Sequence, residues 1–317
     1  MKKNTYKLIA DFGGTHMRIA LSDGSKVFKI SKIRYKKDIS PIHLISNFLL
    51  DIKSSINSIN CFRICAAGPV EDGNVNITNS NLVISRNELM EFFNIRDIEI
   101  FNDAEAACYF IPHIKKPSYA TLNSKSPKNS TFGYIALGTG LGVSAIKLIH
   151  GKSIIISGEG GYCHIPYPEK NTISSEVISL IEKDYPRISC ERLISGPGIV
   201  LIYNALSKIN NISSKLSSEK IVNYALKNSQ GLEFEACKIL FELLAIFAAS
   251  VALIYGARGG LFLGGGLLQR LLPIMPKEIL LSNFLISGRM KDYVHSIPLY
   301  TINDDLISLK GCAIFES

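Results

Sequence analysis

The segment from Ile9 to Leu21 constrains the fold more than any other part of the chain. Two apolar stretches flank an acid, two glycines and a hydroxyl, which are Asp11, Gly13, Gly14 and Thr15. Apolar runs separated by glycine predict two antiparallel strands joined by a tight turn. Such a turn can present backbone amides and a hydroxyl to a phosphate, with the carboxylate placed to hold Mg²⁺. An ordinary turn uses the same residues, because glycine adopts positive φ at no steric cost, so this segment alone leaves both interpretations open.

A second segment of the chain has the same form. The apolar run Tyr134–Leu137 is followed by the glycine-rich turn Gly138–Gly142 and by a further apolar run, Val143–Ile149. A third glycine cluster, Gly264–Gly266, ends the short apolar run Gly260–Leu263. Two strand–glycine–strand segments, each opening a half of mixed α/β character, predict two similar lobes in this chain of 317 residues, with ligands bound in a cleft between them.

The remaining pattern predicts alternating strands and helices in the first half and mostly helices in the second. A helix is expected over Ile42–Ile56, and Ser85–Glu88 matches a capping box before a helix that ends at Phe93. The segment Pro117–Thr131 is rich in serine, lysine, asparagine and proline and predicts a loop. Helical spacing predicts helices in the second half over Thr172–Asp184, Cys190–Ser195, Pro197–Lys208, Lys220–Lys227 and Leu232–Tyr255.

Composition and charge weigh against several classes of protein. The net charge is +8, but lysine and arginine are spread along the chain in runs no longer than pairs, which favours a solvated surface over a nucleic-acid interface. The longest apolar run, Leu243–Tyr255, is shorter than the roughly 20 residues of a membrane span, so we expect a core helix and no membrane. The seven cysteines lack a Cys-x-x-Cys pair, and the charged start Met1–Lys3 is not typical of a signal peptide. We therefore expect a reduced, cytoplasmic protein without a disulfide framework or a zinc site.

Six short motifs occur in a fixed order, and each is weak alone. They are Asp11–Thr15, Phe101–Asp103, Gly138–Gly142, Gly158–Gly161, Glu191–Gly198 and Gly259–Gly266. Together they resemble the bacterial ATP-dependent glucokinase family, within the superfamily of sugar kinases, actin and heat-shock ATPases. The resemblance extends from Tyr6 to about Phe315 and implies a two-lobed, actin-like (ribonuclease H-like) α/β fold with a cleft between lobes. It further implies a small domain at 1–106 plus 302–317, a large domain at 107–301, and a homodimer.

The resemblance implies phosphorylation of glucose to glucose 6-phosphate, the first step of glycolysis, with ATP and Mg²⁺. Asp103 would be the base that takes the proton from the primary hydroxyl of the sugar, a role that can contribute about 10²–10⁴-fold to the rate. Asn102, Glu159, Tyr162 and Glu191 would bind the sugar with Asp103. Plainer roles stay open for three acids: Asp103 as the N-cap of a helix over Ala104–Ile111, Glu159 as a loop carboxylate, and Glu191 as a first-turn helix residue.

The glycine turns would hold the nucleotide. Phosphoryl transfer depends mainly on positioning and charge neutralisation, and a side chain at these glycines would hold the backbone away from the phosphate oxygens. Asp11 would hold Mg²⁺. The nucleotide-binding residues implied in this way are Asp11, Gly13, Gly14, Thr15, Gly138, Thr139, Gly140, Gly265 and Gly266. Plain glycine hairpins and a helix-packing glycine cluster are the alternatives.

The sugar end departs from the family pattern. Where the family has a sugar-binding histidine after Gly160 and Gly161, this chain has Tyr162, and His164 lies about 7 Å further along if the segment is a strand. The preferred hexose is therefore open, and so is the efficiency of turnover. Two other functions stay open: a degenerate member that binds nucleotide or sugar without useful turnover, and an actin-like or chaperone-like ATPase without a sugar substrate.

Overall fold

The computed structural model describes residues 6–14, 16–35, 39–53, 56–77, 82–128, 130–285 and 288–316. The chain divides into two compact units. The first consists of Met1–His113 and Leu306–Ser317, and the second of Ile114–Asp305. The expected division after residue 106 would cut a helix that begins at Asp103 and ends at Phe110. That helix packs on the C-terminal helix, Ile307–Ile314, which places both in the first unit.

The first unit is built on a mixed sheet of five strands. The strands and helices up to residue 113 are β1 (Tyr6–Phe12), β2 (His16–Ser22), β3 (Val27–Arg34), α1 (Pro41–Asp51), β4 (Ile59–Ala66), β5 (Val70–Glu71), β6 (Asn74–Asn76), β7 (Val83–Ser85), α2 (Arg86–Phe93), β8 (Ile98–Asn102) and α3 (Asp103–Phe110). The sheet order is β3-β2-β1-β4-β8, with β1, β4 and β8 parallel and β1, β2 and β3 antiparallel. Strands β5, β6 and β7 form a separate small antiparallel sheet.

The helices of the first unit cover the sheet with apolar side chains. Helix α1 has Ser40 as its N-cap and Pro41 at its first position, and it ends at Asp51 rather than at the expected Ile56. Its buried residues join Phe12, Met17 and Phe62 of the sheet in one core cluster. Helix α2 begins at Arg86, and its N-cap residue Ser85 makes no side-chain capping bond, so the expected capping box is absent there.

The second unit repeats the same sheet with one added strand. Its elements are β9 (Tyr119–Thr121), β10 (Thr131–Leu137), β11 (Leu141–Ile149), β12 (Lys152–Ile156), α4 (Ile173–Glu182), α5 (Cys190–Leu193), α6 (Gly196–Ile209), α7 (Ser218–Ala225), α8 (Leu232–Tyr255), β13 (Gly260–Gly264), α9 (Gly266–Leu271), α10 (Lys277–Phe284), α11 (Lys291–His295) and β14 (Leu299–Ile302). The sheet order is β12-β11-β10-β13-β14-β9. Its first five strands match the first sheet in order and in direction, because β10 pairs antiparallel with β11 and parallel with β13. The prediction of two similar α/β halves is therefore confirmed.

Helix α8 is the central helix of the second unit. It contacts α6, α7 and α10 and contributes thirteen of its residues to the buried set. By length and composition α8 could cross a membrane, but 67% of its most apolar window is buried within the protein. The high apolar content is therefore that of a core helix, as expected from the sequence. The seven cysteines are free thiols, and Cys163 is the exposed one.

Candidate active site

Asp11 lies at the carboxyl end of β1 and is paired across the hairpin with Arg18 of β2. One guanidinium nitrogen of Arg18 lies 3.3 Å from Oδ2 of Asp11, and the two side chains are 27% and 13% exposed. The arginine occupies one side of Asp11, while the turn glycines that follow lie at the end of the strand.

Three parallel strands of the first unit end at the same edge of the sheet. Asp11 of β1 is in register with Cys65 of β4, and Asn102 of β8 is in register with Ala66 of β4. Because neighbouring strands lie about 4.8 Å apart, the backbones of Asp11 and Asn102 are separated by about 10 Å across β4. Asp103 follows Asn102 directly. The structure thus brings Asp11, Asn102 and Asp103 to one edge of the sheet.

The first helical residue after β8 is Asp103, and the N-cap is Asn102. Oδ1 of Asn102 accepts a hydrogen bond from the backbone N–H of Ala104 at 2.8 Å, and Nδ2 donates to the carbonyl of Gly68 at 3.0 Å. The alternative in which Asp103 caps the helix is therefore wrong, because Asn102 provides the cap. Asp103 instead places its carboxylate in the first turn, where the helix dipole favours negative charge.

The turn after β1 is held by hydrogen bonds to its backbone. The N–H of Gly13 donates to the carbonyl of His16 at 3.0 Å, and the hydroxyl of Tyr35 donates to the carbonyl of Gly13. Gly14 follows within the described part of the turn, whereas Thr15 lies outside the described residues. Burial chiefly, and then the charges of Lys32, Arg34 and Arg18, lower the pKa of His16.

The corresponding turn of the second unit joins β10 to β11. The N–H of Gly138 donates to the carbonyl of Gly140 at 3.0 Å, and the carbonyl of Gly138 accepts from the N–H of Gly196 at 2.9 Å. Thr139 at the tip is exposed. Because Gly196 opens α6, the N-terminus of α6 lies directly beside this glycine turn. Helix N-termini carry unpaired amides and a partial positive charge, so this turn is a favourable place for an anion.

Gly265 brings the third glycine cluster against the same turn. Strands β10 and β13 are parallel neighbours, and Ala136 is in register with Gly264. A Cβ on Gly265 would lie 2.3 Å from the carbonyl oxygen of Leu137, and its φ of +98° is a conformation that glycine adopts readily. Gly266 then starts α9, and a Cβ there would meet nothing within 4 Å. Gly138, Thr139, Gly140, Gly265 and Gly266 are therefore assembled at one edge of the second sheet.

The requirement for glycine at position 140 has a cause that the sequence did not reveal. A Cβ on Gly140 would lie 2.7 Å from Oε2 of Glu191, whereas a Cβ on Gly138 would meet nothing within 4 Å. The same Oε2 accepts a hydrogen bond from the N–H of Leu141 at 3.0 Å. A side chain at position 140 would therefore displace the Glu191 carboxylate.

Tyr162 and Glu191 also contact each other. The Tyr162 hydroxyl hydrogen-bonds the Glu191 carboxylate, and the charge of Glu191, burial and the more distant charge of Glu159 together raise the pKa of Tyr162. Tyr162 remains 51% exposed, so its ring and hydroxyl are accessible. The hydroxyl is therefore a neutral hydrogen-bond donor at neutral pH, and its partner is the Glu191 carboxylate.

Backbone pairing brings these residues together from distant positions. His164 forms a bridge with Ser189, and the N–H of Cys190 donates to the carbonyl of Cys163 at 2.8 Å. This pairing aligns the residues just after Tyr162 with those just before Glu191. The segment Gly160–Tyr162 is a 3₁₀ turn. The turn ends at Tyr162, and Cys163, which separates Tyr162 from His164, has an extended backbone.

The side chains of the first unit can hold Mg²⁺ only if phosphate oxygens complete its coordination. Within the described residues, no group of three or more His, Cys, Asp or Glu side chains is placed to hold a metal ion. Mg²⁺ usually binds through one or two carboxylates, substrate phosphates and water. The single, partly buried carboxylate of Asp11 is compatible with that mode of binding, whereas a cage made of protein ligands alone is not.

Comparison with known proteins agrees with this arrangement. The family model described as Glucokinase matches residues 8–317. A glucokinase of Nitrobacter hamburgensis is 28% identical over 97% of this chain and 96% of its own length. A glucokinase of Salmonella arizonae is 29% identical over 96% of this chain and 95% of its own length.

Solved structures give the same result. The crystal structure of a glucokinase from an Antarctic psychrotroph has a TM-score of 0.80 and 26% identity, and 98% of each chain is covered. A glucokinase of Balamuthia mandrillaris in complex with glucose has a TM-score of 0.79 at 20% identity, covering 98% of this chain and 92% of the other, and shows the shared fold. Since the family match extends over nearly the whole chain, the protein belongs to the glucokinase family of ATP-dependent sugar kinases.

Proposed function

We propose that this protein transfers the γ-phosphoryl group of ATP to the primary hydroxyl of glucose, with Asp103 as the catalytic base. The observation that carries the proposal is the edge of the first sheet, where Asp11 lies at the carboxyl end of β1 and Asp103 directly follows β8, with β4 between the two strands. One carboxylate there can serve the nucleotide, and the other can serve the hydroxyl that attacks it.

Asp103 is suited to accept a proton because its neighbour performs the structural task. Asn102 caps α3, so the Asp103 carboxylate is not required for the cap. In the reaction the sugar oxygen forms a bond to the γ-phosphorus, the bond from that phosphorus to the bridging oxygen of ADP breaks, and the hydroxyl proton passes to Asp103. The amide of Asn102 has a second donor and a second acceptor position beyond its two structural bonds, and these can meet a sugar hydroxyl.

The phosphates would be bound by backbone amides of both glycine turns. We assign Gly13, Gly14 and Thr15 of the first unit to this role, with Gly138, Thr139 and Gly140 of the second unit. Gly265 and Gly266 would lie against the nucleotide, where α9 begins. Asp11 would hold Mg²⁺, which when bound neutralises phosphate charge and favours departure of ADP.

The sugar would be bound by Glu159, Tyr162 and Glu191 together with Asn102 and Asp103. Glu191 is fixed from two sides, by the N–H of Leu141 and by the hydroxyl of Tyr162. A fixed carboxylate accepts hydroxyls in one geometry, and a sugar that leaves it unpaired loses about 1–3 kcal/mol. This supports the proposal that the site selects among hexoses even though Tyr162 replaces the histidine of the family.

A substrate panel tests the proposal. Purified protein is assayed with ATP and Mg²⁺ against glucose, mannose, fructose and N-acetylglucosamine, with coupled detection of the sugar phosphate and of ADP. We expect one equivalent of ADP for each glucose 6-phosphate and little ADP without sugar. Binding of ATP and glucose without product over hours would instead support the degenerate binding protein. Hydrolysis of ATP that is independent of sugar would support the actin-like or chaperone-like ATPase.

Two further properties belong to the proposal. We assign the protein to the cytoplasm, which agrees with its seven free thiols. We also propose a homodimer, on the ground of the family resemblance alone. Light scattering coupled to size-exclusion chromatography distinguishes a dimer of about twice the 34.9 kDa chain mass from a monomer.

A further inference from the structure

Tyr35 lies directly against the first glycine turn. It follows the last residue of β3, and Arg34 of β3 is in register with His16 at the start of β2. Because β2 and β3 are antiparallel, the residue after Arg34 reaches the turn that precedes β2. The Tyr35 ring is 9% exposed and packs in the same core cluster as Phe12. The hydroxyl emerges from that core at Gly13, where it donates to the carbonyl.

This hydrogen bond restrains the peptide group that joins Gly13 to Gly14. The N–H of Gly13 is bonded to the carbonyl of His16 at 3.0 Å, and the carbonyl of Gly13 is bonded to Tyr35. A trans peptide is planar, so the N–H of Gly14 points away from the carbonyl that Tyr35 holds. Without such a restraint, two successive glycines would sample many backbone conformations. The tyrosine therefore sets the direction of the Gly14 amide.

We propose that Tyr35 is a positioning residue for the nucleotide, which orients the Gly13–Gly14 peptide so that the Gly14 N–H meets a phosphate oxygen. This inference rests on the proposed kinase function. The tyrosine acts through the peptide and does not touch the substrate. Its role is thus distinct from the roles of Asp11 and of the glycines themselves.

The electrostatic setting of Tyr35 supports the donor role. Burial chiefly, and then the charge of Asp11, raise the pKa of Tyr35 to about 12. The hydroxyl consequently keeps its proton throughout the physiological range and can donate to the Gly13 carbonyl.

The test is the variant Tyr35→Phe, which keeps the buried ring and removes the hydroxyl. Tyr300→Phe is the matched control, because Tyr300 is 8% exposed, stacks on Phe262 and lies on β14 of the other unit. Steady-state kinetics give the KM for ATP and for glucose, and isothermal titration gives the Kd of ADP. For Tyr35→Phe we expect the KM for ATP and the Kd of ADP to rise roughly three- to tenfold, as for the loss of one hydrogen bond. The KM for glucose should change less than twofold.

Circular dichroism and the thermal midpoint confirm that both variants are folded. If Tyr35→Phe matches the wild type in ATP and ADP parameters, the inference is overturned while the kinase function stands. A parallel rise of both KM values overturns it too, since that indicates a general structural role. If the wild-type protein phosphorylates no hexose, the proposed function fails, and the ADP titration still shows whether Tyr35 positions a nucleotide.

Discussion

Replacing Gly140 by alanine should damage the sugar site more than the phosphate site. The new Cβ would lie 2.7 Å from Oε2 of Glu191, whereas ordinary contact begins at about 3.4 Å. The oxygen must therefore move by about 0.7 Å, which would stretch its 3.0 Å bond to the Leu141 N–H towards the limit of hydrogen bonding. Losing a hydrogen bond to a charged group costs about 1.5–3 kcal/mol. The thermal midpoint of the second unit should therefore fall by about 3–10 °C.

Substitutions at the two glycines Gly138 and Gly140 of this turn should have different kinetic effects. With Glu191 displaced, we expect Gly140→Ala to raise the KM for glucose at least about tenfold, since 1.4 kcal/mol corresponds to a factor of ten. Gly138→Ala is the matched control, because no protein atom would lie within 4 Å of its Cβ, which would project into open space. That variant should keep its thermal midpoint and raise the KM for ATP instead.

The assay is the coupled production of glucose 6-phosphate, with each substrate varied at saturation of the other. If Gly140→Ala leaves the KM for glucose and the thermal midpoint unchanged, Glu191 does not impose the glycine at position 140. If both variants raise only the KM for ATP, the glycines serve the phosphates alone and the argument from Glu191 is refuted.

Three further outcomes follow from individual contacts. Tyr162→Phe removes the hydroxyl that holds Glu191, so the KM for glucose should rise roughly three- to tenfold with little change in the KM for ATP, and an unchanged glucose KM would contradict this role. Asn102→Ala removes the cap of α3, so chemical denaturation should show a loss of about 1 kcal/mol in unfolding free energy, and a stability equal to wild type would disprove the cap. Because the pKa of Tyr35 is raised to about 12 in the folded protein, its protonated hydroxyl contributes fully to the free energy of unfolding below pH 10. This contribution is lost as the pH rises towards 12. Wild type should therefore lose more stability than Tyr35→Phe between pH 10 and pH 12, and equal losses would count against the buried hydroxyl.

The local pattern of the sequence predicted the two strand–glycine–strand hairpins and the core helix α8, because short-range periodicity and glycine turns determine them. It missed β9 and β12. Strand β9 has three residues and pairs with β14, which lies far along the chain. Strand β12 pairs with β11 mainly through exposed residues, so it shows little apolar alternation. Both strands form because they pair with a neighbouring strand, and the local sequence pattern does not show which strand will be the neighbour.

At the site, the sequence indicated which residues matter but not why some of them are required. We expected glycine at position 140 because a side chain would hold the backbone away from a phosphate. The structure shows that the nearest atom to a Cβ there belongs to Glu191. Asp103 was open to a capping role, and the structure gives that role to Asn102. Tyr35 had no recognisable motif, because its contact with Gly13 arises from the return of β3 to the turn. A contact between residues that are distant in sequence depends on the sheet register, which the sequence alone left undetermined.

The central claim is that Asp103 takes the proton from the sugar hydroxyl. The variant Asp103→Asn keeps the shape of the side chain, and the Asn102 cap should preserve α3. Glu105→Gln is the matched control, since it removes a second acid from the same first turn of the helix.

The most direct measurement is the single-turnover rate of glucose 6-phosphate formation for these two variants, with glucose and ADP binding measured by titration. The account predicts a rate lowered about 10²–10⁴-fold for Asp103→Asn, binding within a fewfold of wild type, and a Glu105→Gln rate close to wild type. A single-turnover rate for Asp103→Asn within tenfold of wild type would contradict the assignment of the base.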